Sequence, residues 1–299
     1  MPSPATLTVD LNALAANFHT LEAVGGAPVN PVVKADSYGL GAVACATRLM
    51  AEGARTFFVA RTAEGEVLRG ALGPDPVLYV LDGCVRGTAQ RLIAADLRPV
   101  LNTLACSDDP AEPMNRRQRD AFAAATQRYP GVTRSFANSG GVFLGRDYAF
   151  DALRPGICLY GGGPEGRPDS RIRAVATLEA EVLQVRAVPA GETVGYSRGF
   201  HAKAPTRIAT CAAGYADGLL RAYSPHGQVF IAGALRPIVG RVSMDVCAVD
   251  IGDLEVSVGD RIELYGGHRM LDDAATAAGT ISYELLTSVT ARVPRLYIG

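Results

Sequence analysis

The chain has 299 residues, 48% of them hydrophobic, enough for one large domain plus a smaller one, each with its own core. A formal net charge of -1 excludes the basic footprint of a nucleic-acid binder and the polybasic patch that anionic lipid requires. No apolar run reaches the roughly 18 residues of a membrane-spanning helix, and the opening Met1-Pro2-Ser3-Pro4 is no leader, so a cytoplasmic protein without membrane or nucleic-acid partners is expected.

Residues 6–10 alternate polar and apolar like a short strand. Asp10 can then cap a helix that carries Leu11, Leu14, Ala15, Phe18 and Leu21 on one face. Short apolar runs follow at residues 31–34, 57–60, 77–81 and 99–101, alternating with Ala-rich helical segments at 41–52 and 88–95. This is the rhythm of βα units. Further apolar segments at 135–137 and 157–160, after a helix candidate at 116–129, extend it to a TIM-type (β/α) barrel.

A Gly/Pro-rich stretch at 161–168 precedes a change of texture. Short Val/Ile/Thr-rich strands are then expected at 178–188, 207–212, 228–231, 237–242, 246–251 and 261–264. The expected class is therefore α/β. Residues 1–10 form a strand joining the later sheet, 11–165 a (β/α) barrel, and 166–299 a mainly β domain.

Two features bear on chemistry. The six cysteines are scattered, with no spacing that suits a disulfide scaffold or a metal, so no metal site is expected. Arginine carries nearly all the positive charge, the only lysines being Lys34 and Lys203. Lys34 closes a β-branched apolar run and is followed by the polar, glycine-containing loop Ala35-Asp36-Ser37-Tyr38-Gly39. In a parallel barrel that strand end is the catalytic face, and desolvation favours the amine that attacks an aldehyde. A lysine snorkelling from a strand end fits the same residues equally well. By residue type alone Arg154 reads as a surface ion-pair partner, and Ser139 as a turn residue.

Several blocks narrow these alternatives. A lysine followed four residues later by tyrosine and then glycine (Lys34, Tyr38, Gly39) is joined by Phe136-Ala137-Asn138-Ser139-Gly140 and by Leu153-Arg154-Pro155-Gly156-Ile157. Val194-Gly195-Tyr196, Ala213-Gly214-Tyr215-Ala216-Asp217-Gly218, Val239-Gly240-Arg241-Val242-Ser243-Met244-Asp245 and Thr280-Ile281-Ser282-Tyr283-Glu284 follow in order. In these blocks, spread over nearly its whole length, the chain resembles the alanine racemase family.

The resemblance implies a pyridoxal 5'-phosphate enzyme that interconverts L- and D-alanine and supplies D-alanine for peptidoglycan. Lys34 would hold the cofactor through a Schiff base and act as one base, with Tyr196 as the other. Two bases on opposite faces are what racemisation needs, and a phenol serves as one only where positive charge favours phenolate. Arg154 would face the pyridine nitrogen, and the phosphate would lie against Tyr38, Ser139, Gly156 and Ile157. Tyr215, Met244 and Asp245 would shape the pocket for a small amino-acid substrate. A homodimer with shared active sites is implied, Tyr196 reaching the barrel of the other subunit.

The chain also departs from the family pattern. After Asn102 about one βα unit is missing, and with it an arginine that contacts the substrate carboxylate and the lysine that supports that arginine. Thr103 stands where the family places a histidine against the cofactor ring, and Ala291 where a tyrosine touches the phosphate. The barrel is therefore expected to be incomplete. A pyridoxal-phosphate-binding protein, or a deletion form with little or no racemase activity, is the alternative.

Overall fold

Strand β1 (Ala5–Asp10) buries Ala5, Leu7 and Val9 and leaves Thr6, Thr8 and Asp10 half-exposed, the period of two that its sequence shows. It opens a computed structural model that describes residues 3–99, 104–224 and 226–299. The chain folds as two compact units, one of Leu11–Arg173 with Gly299, the other of Met1–Asp10 with Ala174–Ile298.

In the first unit, helix α1 (Leu11–Gly25) buries Leu14, Phe18 and Leu21, as the 3.6-residue spacing predicts. The same helix buries Asn17, whose amide donates to the carbonyls of Leu159 (3.2 Å) and Arg173 (2.9 Å) and accepts from the Arg173 N–H (2.8 Å). This latch keeps residues 166–173 with the first unit and moves the division from the expected 165 to Arg173.

The short helical turn α2 (Lys34–Tyr38), α3 (Ala42–Ala51), β2 (Thr56–Val59), α4 (Thr62–Leu72), β3 (Val77–Val80), α5 (Ala89–Ala94) and β4 (Leu97–Pro99) come next. α6 (Pro113–Thr126) and α7 (Ser139–Phe143) follow. β2, β3 and β4 are parallel, with Phe58, Tyr79 and Arg98 in one register. The arc continues past β2 through parallel bridges Val32 to Phe58, Val29 to Leu153 and Ser135 to Ala152. It therefore runs β4, β3, β2, residues 29–33, residues 152–155, residues 135–137. Among the described residues its two ends do not pair with each other, which leaves the barrel open. On the open side Phe122 of α6 stacks on Phe136 (ring centroids 4.7 Å apart) and meets Phe150 edge-on (4.9 Å).

Two sequence expectations shift here. Residues 157–160 are not a strand: Ile157–Leu159 is a 3-10 turn, and the strand lies just before it at 152–155. The N–H groups of Gly156 and Cys158 turn away from any ladder to a side-chain oxygen, that of Ser139. The strand expected at 99–101 is described only as far as Pro99, and Asn102 and Thr103 also lie outside the described residues.

The second unit contains β5 (Ala176–Val188), β6 (Thr193–Val194), β7 (Phe200–His201), β8 (Thr206–Cys211), β9 (Gln228–Ile231) and β10 (Ala234–Val239). β11 (Cys247–Asp250), β12 (Arg261–Tyr265), α8 (Leu271–Ala277), α9 (Ser282–Ser288) and β13 (Arg295–Ile298) complete it. The order β5-β8-β11-β10-β9-β12 returns to β5 and closes the sheet, which removes the exposed edges of these strands. β5 can hold three neighbours because its register shifts between Val182 and Gln184: its first half lies between β1 and β12, and its second half carries β8. β13 then pairs parallel with β1. Among the described residues no helix is long and apolar enough to cross a membrane.

Candidate active site

In the barrel unit the strand at 29–33 delivers Lys34, half-buried, to the start of α2. Directly after it Ala35, Asp36, Ser37 and Tyr38 all have φ between 50° and 59°, one turn of left-handed helix built from L residues. Each such residue costs roughly 1–2 kcal/mol, and strain of this kind persists only where the surroundings over-determine it. They do so here. The Ser37 N–H donates to Val33 (3.0 Å), the Ala35 N–H to Glu64 (3.0 Å) and the Ala42 N–H to Asp36 (2.6 Å). Glu64 is itself fixed by the Ala60 N–H at 2.8 Å.

The turn lays the Tyr38 ring against Tyr160, centroids 4.8 Å apart, while the Tyr160 hydroxyl donates to Val32 at 2.8 Å. Burial pushes the Tyr160 phenol well above its ordinary value, so it serves as a neutral prop.

The Tyr38 hydroxyl meets a second local structure. Asn138 caps α7 by accepting from the Gly141 N–H (3.0 Å) and is steadied by the Ser107 hydroxyl (2.7 Å). The next residue, Ser139, is buried, and its hydroxyl accepts from the N–H groups of Gly156 (2.9 Å) and Cys158 (3.3 Å). A Cβ on Gly156 would lie 2.1 Å from the Tyr38 hydroxyl. Only glycine therefore allows Tyr38, Ser139 and this backbone to converge beside the turn that begins at Ile157. The expected cluster of Tyr38, Ser139, Gly156 and Ile157 is thus one place in the fold.

Arg154 differs from the surface ion-pair residue that its type suggests. It is 5% exposed, and its Nε is buried with no hydrogen-bond partner among the described residues. One terminal nitrogen reaches the Phe136 carbonyl at 3.5 Å, and the guanidinium lies 5.9 Å from the Phe58 ring centre. Burial without a carboxylate lowers its pKa to about 10, so it remains charged at neutral pH.

In the β unit, Tyr196, Tyr215, Met244 and Asp245 line one surface depression of about 550 Å³, together with Arg221 and Arg241. Tyr196 is 70% exposed and follows Gly195, whose φ of 80° turns the chain outward. The Tyr215 and Ala216 N–H groups donate to Ser243 (3.0 Å) and Met244 (2.9 Å), and a Cβ on Gly214 would sit 2.2 Å from the Met244 oxygen. Beneath them Arg292 pairs with buried Asp217 (2.6 and 3.0 Å) and with exposed Asp245 (2.9 Å). Asp217 in turn accepts from the Gly214 N–H at 2.8 Å.

Sequence reasoning missed Arg221, Asp217 and Arg292. The first two lie in or beside the block that contains Tyr215, so that block carried the signal. Arg292 had none, because its role depends on contacts across about 75 residues of chain.

Residues 9–105 and 100–164 match the model of the alanine racemase N-terminal domain, and residues 175–297 that of the C-terminal domain. The chain belongs to the alanine racemase family. It is 38% identical to the alanine racemase of Rhizobium meliloti over an alignment covering 100% of this chain and 98% of that one. It is 40% identical to that of Cereibacter sphaeroides, with 98% of each chain covered. The crystal structure of the alanine racemase from Bartonella henselae with covalently bound pyridoxal phosphate superposes with a TM-score of 0.93 at 33% identity, covering 99% of this chain and 100% of that one.

The Rhizobium alignment spans 372 positions against the 299 residues present here, so part of that racemase has no counterpart in this chain. The N-terminal match breaks into two pieces at 100–105. The break falls close to Asn102, after which the sequence departs from the family pattern. The C-terminal match is a single piece.

Proposed function

We propose that the chain is a pyridoxal-phosphate-dependent alanine racemase that interconverts L- and D-alanine as a homodimer. The observation that carries the reading is the buried Nε of Arg154, a charged donor held in place with no acceptor among the described residues. A pyridine nitrogen is the acceptor that fits it. The other residues present fit the rest of the cofactor: a half-buried amine at Lys34 for the aldehyde, and for the phosphate the hydroxyls of Tyr38 and Ser139 beside the turn at Gly156 and Ile157, where the Gly156 N–H fixes the Ser139 oxygen.

When bound, pyridoxal phosphate supplies an electron sink that makes the α-proton of an amino acid removable. The protein's own share is orientation and proton movement. The Lys34 amine would hold the cofactor's aldehyde and, once freed by the incoming amino group, would take or return the proton at the substrate Cα from one face. The Tyr196 hydroxyl would do the same from the opposite face. Arg154, charged at neutral pH, would donate a hydrogen bond to the ring nitrogen and leave it unprotonated. Tyr215, Met244 and Asp245 bound the substrate pocket, and the backbone contacts between 214–216 and 243–244 keep that wall rigid.

The test is direct. Purified protein loaded with the cofactor is expected to absorb visibly and to convert L- to D-alanine, and Lys34→Ala is expected to lose both. A protein that stays colourless, or one that is coloured and inert toward alanine, overturns the assignment. Shared sites predict that mixing the inactive variants Lys34→Ala and Tyr196→Phe restores turnover, because a mixed dimer contains one site with both native residues. No recovery on mixing, with subunit exchange confirmed, refutes the shared site.

A further inference from the structure

A second cavity in the barrel unit, about 540 Å³ in volume, is lined by Arg98, Arg134 and Arg154. Its size is that of a small-molecule site. Of the residues proposed to hold the cofactor it shares only Arg154, since Tyr38, Ser139 and Gly156 do not line it. Its charge is one-sided. Arg98, Arg134 and Arg154 all line it, and among the described residues no Asp or Glu does.

Arg134 is neutralised by Asp151, with contacts of 2.9 and 3.0 Å. Arg98 has no ion pair with any described carboxylate, and Arg154 is the buried guanidinium with the unpartnered Nε. Aromatic rings form part of the remaining wall, which also has threonine and valine side chains. Phe58 and Tyr79 stack 5.1 Å apart at 17°, and Phe122 and Tyr129 line the cavity with them. Flat rings favour a flat guest through stacking, and guanidinium groups favour a carboxylate through paired hydrogen bonds.

We propose that this cavity is a binding site for a small aromatic carboxylate, with Arg98 as the principal anion contact and the Phe58–Tyr79 wall as the stacking surface. The site does not depend on racemase activity, so its failure and that of the proposed function are separable.

The test uses the full chain and 4-fluorobenzoate, observed by fluorine NMR. Saturable binding is expected, at least tenfold weaker for the uncharged 4-fluorobenzamide and at least tenfold weaker in Arg98→Gln. Arg98→Lys should recover part of the affinity, and Lys34→Ala should leave it within twofold. Arg98 is exposed, so its variants are expected to melt cooperatively like the parent. The benzamide comparison on the unmodified protein stands in any case. Absence of saturable binding, equal binding of acid and amide, indifference to Arg98→Gln, or competition with pyridoxal phosphate each overturns the proposal.

Discussion

Replacing Arg154 with methionine is expected to move the stability of the cofactor-free protein and its affinity for pyridoxal phosphate in opposite directions. The fall of the Arg154 pKa to about 10 measures how much the fold disfavours its charge. At about 1.36 kcal/mol per tenfold change in proton affinity, that fall corresponds to roughly 3 kcal/mol. The sign follows from a base whose pKa is lowered on folding: the charged form is penalised in the folded state at every pH below about 10. Methionine fills a similar volume without charge and removes that penalty. It forfeits a long contact to Phe136 and a weak one to Phe58, worth about 1 kcal/mol together.

The cofactor-free variant should therefore be about 2 kcal/mol more stable, a rise in melting temperature of roughly 4–8 °C at the ~2–4 °C per kcal/mol of a unit this size. A lost hydrogen bond from a charged donor, about 1.5–3 kcal/mol, should weaken cofactor binding by roughly 10–100-fold. Differential scanning fluorimetry of the stripped proteins and absorbance titration with pyridoxal phosphate read the two effects. A variant that melts below the parent without cofactor would show Arg154 to be stabilised by a partner. The account of the site given above would then be wrong.

Tyr196→Phe should fold and bind cofactor normally, because the side chain is exposed, and should lose about 10²–10⁴-fold in turnover; a milder loss in steady-state assays would remove Tyr196 from proton transfer. Asp217→Ala leaves Arg292 with Asp245 alone and the Gly214 N–H without its acceptor, so about 1–3 kcal/mol of stability should go, and the KM for alanine should rise as the Tyr215 and Asp245 loops loosen. Chemical denaturation and initial rates check both effects, and an unchanged KM would mean that the loops hold without it. Asp169 is held below the usual carboxylate range by hydrogen bonding to Arg171. Its contribution, roughly 0.5–1 kcal/mol, is present above the unfolded value near 3.9 and is lost as pH falls through the lower folded value. The gap in melting temperature between the parent and Asp169→Asn should therefore be open at pH 6 and close as pH falls through the lowered value of the folded carboxyl.

Much of the β unit was legible because strands half-buried in a closed sheet must alternate, and Val, Ile and Thr at period two announce it. β8, β11 and β12 fall within two residues of the expected bounds. β10 starts three residues earlier than expected and stops at Val239, because Gly240 turns the chain with a φ of 68°. The strand at 152–155 was obscured by the more apolar residues after it, which are buried as a turn. The left-handed turn from Ala35 to Tyr38 left no trace in sequence. None of its residues is a glycine or asparagine, and contacts with Val33, Glu64 and Ala42, together with the N–H groups of Gly39, Leu40 and Gly41, hold it. The blocks around Lys34 and Tyr196 are what put both among the residues proposed for the site. The burial of Arg154 was not legible, since nothing local distinguishes an arginine in a barrel from one on a surface.

The place of β1 has a consequence for synthesis. It is made first, yet its neighbours are β5, more than 160 residues later, and β13 at the very end. At ~5–20 residues per second, β1 waits roughly 15–60 s on the ribosome for its last partner. The barrel segment can collapse in that interval, but the apolar face of Ala5, Leu7 and Val9 remains uncovered. The first ten residues are thus where a trigger-type chaperone would be needed most, and where premature release would start aggregation.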